Sequence, residues 1–308
     1  MDMRQLTYIV TIADEGGVTR AAAKLFVTQS ALDQQLIKLE NELGVQLFIR
    51  ARNSFALTRA GEVYVDYARR ILSLKNEAYM RIADMADQQR GTLSIAFAPE
   101  RGMEMFAAVY PVFYDQYPEI TVIPREISVK KQLELLKKEE LDLCFVYMPD
   151  ASIPGVVCEK LAEEEFVLIT PKNHPLAKKA GKSGKKLKTV KAQDMEYLTY
   201  SIMYRESTQR DVLDPMFKKF GIKPNIFLET GSNRANISMA EKGLSCSVVP
   251  YFYARNNERV AIFRIQGRPS WQIYACWRSG QYKSKAAERF IALARNYFDA
   301  QMIGVEEE

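Results

Sequence analysis

Histidine and cysteine are scarce in this chain: of 308 residues one is histidine, His174, and four are cysteine. Cys144, Cys158, Cys246 and Cys276 lie far apart and form no C-x-x-C pair, so the spacing of a zinc site is missing and no metal is expected. Cys144 in LDLCFVY and Cys246 in GLSCSVVP fall in strand-like apolar runs, where cysteine acts as a small buried hydrophobe. A redox-sensing thiol is the alternative. No glycine-rich phosphate loop and no nucleophile elbow are present, and acid–base chemistry has only His174, in the turn-like NHPLA, to draw on. An enzyme is not expected. The opening segment MDMRQLTYIVTIADEGG carries Arg4, Asp14 and Glu15 around a short apolar stretch and has no small-residue cleavage site. Neither a signal peptide nor a membrane span is expected, which places the protein in the cytoplasm with no membrane partner.

What is present is an ordinary globular composition, 47% hydrophobic and 26% charged, in a chain long enough for two or three domains. The net charge of +5 suggests nucleic acid at first sight. Yet Lys178, Lys179, Lys182, Lys185, Lys186, Lys188 and Lys191 all lie in AKKAGKSGKKLKTVK, and without them the chain is slightly acidic. Residues 1–90 hold 12 Lys or Arg against 11 Asp or Glu. Bulk charge therefore makes no case for DNA, and local geometry has to. The lysine-rich segment itself reads as a solvated loop, with a second nucleic-acid contact as the alternative.

Up to about Ala56 the pattern is helical, punctuated by Gly16 and Gly17, by Gly44 and by Arg52 to Ser54, which predicts three helices and a small wing. From Leu57 to about Gln89 a single helical pattern runs without proline. Its apolar residues Tyr64, Tyr67, Ile71, Leu74, Ala78, Ile82 and Met85 form one stripe, which predicts a dimer contact with a partner helix. After Gly91 strands and helices alternate: TLSIAFA, a helix to Tyr117, ITVIPREI, a helix over Val129 to Glu140, and LDLCFVYM. FVLIT, YLTYSIM, NIFLET, GLSCSVVP, AIFRI and WQIYACW follow as strands, with helices over Thr208 to Phe220, Asn233 to Lys242 and Ser284 to about Ala300. The fold class is α/β with an all-α N-terminal part and two lobes flanking a cleft.

The stretch AAAKLFVTQSALDQQLIKLE has the form of a helix, a corner at Phe26 and Val27, and a second helix. Thr19 and Thr28 are suited to cap the two helices. In the second, Leu32, Leu36, Leu39 and Leu43 fall on one side and Ser30, Gln34, Ile37 and Asn41 on the other. Thr28, Gln29, Ser30, Asp33, Gln34 and Lys38 are candidate DNA contacts, because the first turns of a recognition helix meet base edges. Glutamine can pair with adenine, and aspartate can accept from cytosine. Arg50, Arg52 and Arg59 bracket the expected wing, where arginine neutralises phosphates.

These residues resemble the winged helix-turn-helix of the LysR-type transcriptional regulators, through Ala21 and Ala22, TQSAL, KLENELG, LF-x-R ending in Arg50, and LT-x-AG from Leu57 to Gly61. GTLSIAF, LDLCFVY, NHPLA and EKGLSCSVVP extend the likeness over nearly the whole chain. The resemblance implies a DNA-binding domain over 1–58, a dimerising linker helix over 59–90, and an effector-binding domain over 91–308. That last domain would hold two Rossmann-like lobes similar to type 2 periplasmic binding proteins, lobe I at about 91–162 and 268–308 and lobe II at about 163–267. Asp33 departs from the family, which usually has serine there; it either repels phosphates or reads a cytosine.

The implied function is ligand-responsive transcriptional regulation on an interrupted palindrome of double-stranded DNA, by a dimer or tetramer with RNA polymerase as a further candidate partner. The alternative is a cytoplasmic solute-binding or redox-sensing regulator with no metabolite ligand. No cofactor is implied beyond a small-molecule effector in the cleft. Positions matching the family's pocket are Pro99, Glu100, Arg101, Ser128, Met148, Ser201, Ile202, Met203 and Ser232. Tyr200, Met148 and Met203 are expected to make its walls apolar. Glu100 would repel a carboxylate effector unless Arg101 turns inward to compensate.

Overall fold

A computed structural model describes residues 2–51, 54–86, 90–180 and 187–302. The N-terminal unit packs α1 (Met3–Glu15), α2 (Val18–Lys24) and α3 (Gln29–Leu43) beside a two-stranded wing, β1 (Phe48–Ala51) and β2 (Ser54–Leu57). Local chemistry sets its boundaries. Asp2 accepts from the Gln5 amide at 2.7 Å to start α1, and Gly16 ends it in the left-handed region at φ 60°. Thr28 accepts from the Ala31 amide to start α3, and Gly44 closes it at φ 68°. Thr19 does not act as a cap: α2 begins after Gly17, and the Thr19 hydroxyl meets the Gln29 side-chain oxygen at 3.0 Å instead. Ile9, Ile12, Ala21, Leu32, Leu36 and Leu39 interlock in the core of this unit. Leu43, expected on the same side, is exposed, because the last turn of α3 overhangs that core.

The helix α4 (Arg59–Met85) follows, capped by Thr58, whose hydroxyl accepts from the Gly61 amide at 3.0 Å. Its 27 residues span about 40 Å at 1.5 Å per residue. A Cβ at Gly61 would stand 2.0 Å from the Leu47 carbonyl oxygen, so the glycine of the LT-x-AG run is required by how closely α4 approaches the wing.

Lobe I is built by β3 (Gly91–Phe97), α5 (Arg101–Gln116), β4 (Ile120–Glu126), α6 (Val129–Lys137) and β5 (Leu143–Met148), with β3 parallel to both β4 and β5. Every residue of β5 is buried, as a strand covered on both faces must be. Next comes β6 (Val156–Pro171), 16 residues where the FVLIT run that announced it has five, because the acidic stretch EKLAEEE conceals its first half. Lobe II adds a 3-10 turn (Pro175–Lys179), β7 (Thr189–Val190), α7 (Ala192–Met195), β8 (Thr199–Met203), α8 (Thr208–Lys219), β9 (Asn225–Thr230), α9 (Asn233–Glu241), β10 (Ser247–Pro250), α10 (Tyr251–Ala254) and β11 (Val260–Ile265). The chain then returns to lobe I through β12 (Ser270–Arg278) and α11 (Lys285–Met302), which packs on α5.

The strand order β4-β3-β5-β12-β6-β11-β7 makes one sheet run through both lobes, with β10 also on β6. The first part of β6 pairs with β12 and the second with β10 and β11, so this strand joins the lobes. The β8–β9 pair is tied on where the Ser201 amide donates to the Cys246 carbonyl at 2.9 Å. No helix among the described residues is long and apolar enough to cross a membrane.

Candidate nucleic-acid interface and effector cleft

With its leucines turned inward, α3 presents Gln29, Ser30, Gln34 and Lys38 outward, beside Thr28 in its cap. Ile37 is exposed among them, an apolar side chain on an otherwise polar face. The Gln29 carbonyl end is oriented by Thr19 on α2. Phe26, at the corner, takes a left-handed conformation at φ 54° and is 96% exposed, while Val27 packs on the core. Asp33 is not an isolated anion: its carboxylate meets the Arg50 guanidinium on β1 at 2.7 Å. In the free protein it holds the wing arginine. Arg59 is exposed at the start of α4; Arg52 lies outside the described residues, as do Lys182, Lys185 and Lys186 of the basic segment.

Along α4, Tyr64 is half-buried against the N-terminal core and Ile71 half-buried, whereas Tyr67, Leu74, Ala78, Ile82 and Met85 are exposed. The other side of the helix is anchored. Arg69 bridges Asp14 of α1 and Glu140 of lobe I, the latter at 3.2 Å. Near its end Asp84 accepts from the Tyr282 hydroxyl at 2.8 Å and from the Lys285 amide at 3.1 Å. The reader, the linker and lobe I are thus connected through polar contacts within one chain.

In the cleft, the β3–α5 turn carries Pro99, Glu100 and Arg101. Arg101 does turn inward, but its partner is Glu164 on β6, at 3.5 Å; the guanidinium is stacked 3.5 Å from the Phe252 ring centre and reaches the Tyr297 hydroxyl at 3.2 Å. Burial pushes the Glu164 carboxyl up, and Arg101 and the Trp271 indole N–H oppose that shift. Glu100 is met elsewhere: its carboxylate accepts from the Ser232 hydroxyl at 2.6 Å and from the Asn233 amide at 3.0 Å, at the start of α9. Lobe I and lobe II therefore touch through Glu100 and Ser232, two of the nine pocket positions.

The others are placed differently. Tyr200 is core and not cleft wall: it is fully buried, donates to the Met195 carbonyl at 2.8 Å and stacks edge-on against Phe217. Ile202, two residues on along β8, shares that core, as the two-residue period of a strand demands. Ser201 faces the opposite way and shares a 2.7 Å hydrogen bond with buried Ser245; Met203 is half-buried. Met148 packs with Val146 and Cys144 under α6, while Ser128 is exposed and caps that helix by accepting from the Lys131 amide. Glu164, Phe252 and Tyr297, which hold Arg101, carry no local sequence signal, since each meets it from a distant segment.

Cys144, Cys276 and Cys158 stand side by side on β5, β12 and β6, and the Cys158 and Cys276 sulfurs are 2.8 Å apart. The shared hydrogen bond and burial push the Cys158 thiol up, and burial raises Cys246 to about 12. Such thiols are protonated near neutral pH and are poor nucleophiles. Among the described residues no cluster of His, Cys, Asp and Glu is arranged to hold a metal ion.

Residues 3–62 match the model of the bacterial regulatory helix-turn-helix protein, lysR family, and residues 86–299 match the LysR substrate binding domain. The Hca operon transcriptional activator HcaR of Escherichia coli is 28% identical over 297 residues, covering 96% of this chain and 97% of its own length. Full-length OxyR from Pseudomonas aeruginosa shares the fold, with a TM-score of 0.73 at 22% identity over 96% of this chain and 95% of that one. CbnR, solved in complex with its target DNA, superposes with a TM-score of 0.62 at 26% identity over 96% of this chain and 99% of its own. The chain belongs to the LysR family of transcriptional regulators, with a DNA-binding helix-turn-helix followed by an effector-binding domain.

Proposed function

We propose that α3 enters the major groove with Thr28, Gln29, Ser30, Asp33, Gln34 and Lys38 toward the bases, while Arg50 and Arg52 approach the phosphates. The observation that carries this reading is the polar first half of α3, exposed opposite the buried Leu32, Leu36 and Leu39 and next to the wing. Two copies pair along α4 through Tyr64, Tyr67, Ile71, Leu74 and Ala78, and so hold two readers on half-sites of an interrupted palindrome. Pairs of dimers form a tetramer through the lobes, the protein works in the cytoplasm, and RNA polymerase is its downstream partner. A small organic effector binds between the lobes at the turn 99–101 and Ser232. It shifts the assembly only through its different affinity for the two lobe arrangements, which changes the spacing of the readers.

Footprinting of the purified protein on its own upstream intergenic DNA, with and without a metabolite panel, tests the whole reading; protection that no metabolite alters would remove the effector half. Titrations sort the α3 contacts. Arg50→Ala is expected to weaken binding to all duplexes and flatten the salt dependence, and Gln29→Ala to relax preference at particular base pairs by about 1–3 kcal/mol. Equal losses on every sequence for Gln29→Ala would reject the groove assignment.

A further inference from the structure

The α9 end of the cleft already holds a carboxylate, and it belongs to the protein. Glu100 in lobe I reaches across to lobe II, where one carboxylate oxygen accepts from the Ser232 hydroxyl at 2.6 Å and the Arg234 amide at 3.5 Å, and the other from the Asn233 amide at 3.0 Å. These amides belong to the first turn of a nine-residue helix, where backbone N–H groups lack intrahelical partners and the helix dipole favours an anion. Ser232 meanwhile keeps its capping role, accepting from the Ala235 amide at 3.1 Å. One turn further along α5, Glu104 reaches across to Arg234 and makes a second bridge between the same two helices. The backbone of Glu100 supplies an independent sign. It sits at φ 59°, ψ −87°, a conformation that a non-glycine residue rarely adopts and that persists only where its surroundings over-determine it. Arg101, the nearest cation in sequence, is turned away to Glu164.

We propose that Glu100 is an internal carboxylate ligand of the cleft. It fills the anion position at the start of α9 and holds the lobes together, and an effector bearing a carboxylate acts by displacing it. The exchange conserves the donor set, since one carboxylate replaces another on Ser232, Asn233 and Arg234. It frees the β3–α5 turn from lobe II and lets Glu100 leave its strained conformation. Because the internal carboxylate is present at the high effective concentration of a tethered group, a simple free carboxylate competes poorly with it. An effective ligand needs contacts beyond its anionic end.

The proposal rests on reading the cleft as the effector site, and it is tested without DNA, so a failed footprint and a failed internal ligand are told apart. The probe is acetate, followed by saturation transfer from the full-length protein to its methyl protons. Glu100→Gly removes the carboxylate and tolerates the positive φ. Transfer is expected to be absent for the parent protein, present and saturable for Glu100→Gly, and lost again when Ser232→Ala is added. Equal transfer for the parent protein and Glu100→Gly overturns the proposal. Hydrogen exchange gives a second readout with Glu100→Gln, which keeps the side-chain volume. The amides of Asn233 and Arg234 are expected to exchange about tenfold faster than in the parent, the loss of roughly one charge-assisted bond. Unchanged protection there overturns the proposal as well.

Discussion

At the scale of single residues, the most informative contact is the 2.7 Å pair between Asp33 and Arg50, which joins the reader to its wing. Both side chains are partly exposed, so the pair adds little to stability. Its consequence is for DNA: Arg50 must leave Asp33, or share it, to neutralise a phosphate. Asp33→Ser is therefore expected to tighten binding to random-sequence duplex about three- to tenfold at low salt, and to steepen the salt dependence by about one phosphate contact. Anisotropy titrations over a range of salt check this; unchanged affinity and slope would show that the pair does not compete with DNA. The sequence marked Asp33 as unusual and Arg50 as a wing residue, but the two are set side by side only by the packing of β1 against α3. The same limit hid the partner of Arg101, because burial of a cation shows in no local pattern.

At the scale of elements, helical periodicity was readily legible. Leu32, Leu36 and Leu39 are buried where 100° per residue places them, and the Thr28 cap is made as its chemistry requires. Strand limits were less so: β6 is masked by Glu159 and the consecutive Glu163, Glu164 and Glu165, which break the apolar alternation, and Glu164 is buried where Arg101 and Trp271 meet it. Tyr200 and Ile202 illustrate a further limit. Their sequence places them on a strand, but which face of that strand meets the cleft depends on α8, which packs over them. The exposed part of α4 bears a prediction of its own. Leu74 is 62% exposed on a stripe proposed to meet a second copy, so Leu74→Asp would place an unpaired charge in a helix–helix seam. Self-association measured by sedimentation equilibrium is expected to weaken at least about tenfold with circular dichroism unchanged, roughly 1.4 kcal/mol. Unaltered association would place the dimer seam elsewhere.

At the scale of the whole molecule, the DNA reader and lobe I are linked through Asp14, Arg69 and Glu140, with Arg125 also 3.7 Å from Glu140. Burial raises the Glu140 carboxyl above its ordinary 4.5; Arg69 and Arg125 oppose that shift and Asp14 reinforces it. The sign follows from linkage. A carboxyl raised in the folded state contributes stability that is complete below 4.5 and is lost as pH climbs through the raised value. Urea unfolding of the parent and Glu140→Gln, compared from below 4.5 upward, is expected to show the parent losing stability relative to the variant over that window. A constant difference across the window would mean that Glu140 titrates normally. The same variant leaves Arg69 with Asp14 alone, and faster proteolysis between α4 and β3 is expected as the reader loosens from lobe I.

The sequence by itself determined the family, the α/β class, the capped reader helix and the long linker, because these depend on periodicity, capping and turn chemistry that act within a few residues. Only the tertiary structure decided that Asp33 holds Arg50, that Arg101 answers Glu164, and that Glu100 crosses the cleft to α9. Each of those is a meeting of charges brought together by packing between distant segments, and no local pattern encodes the partner of a charge.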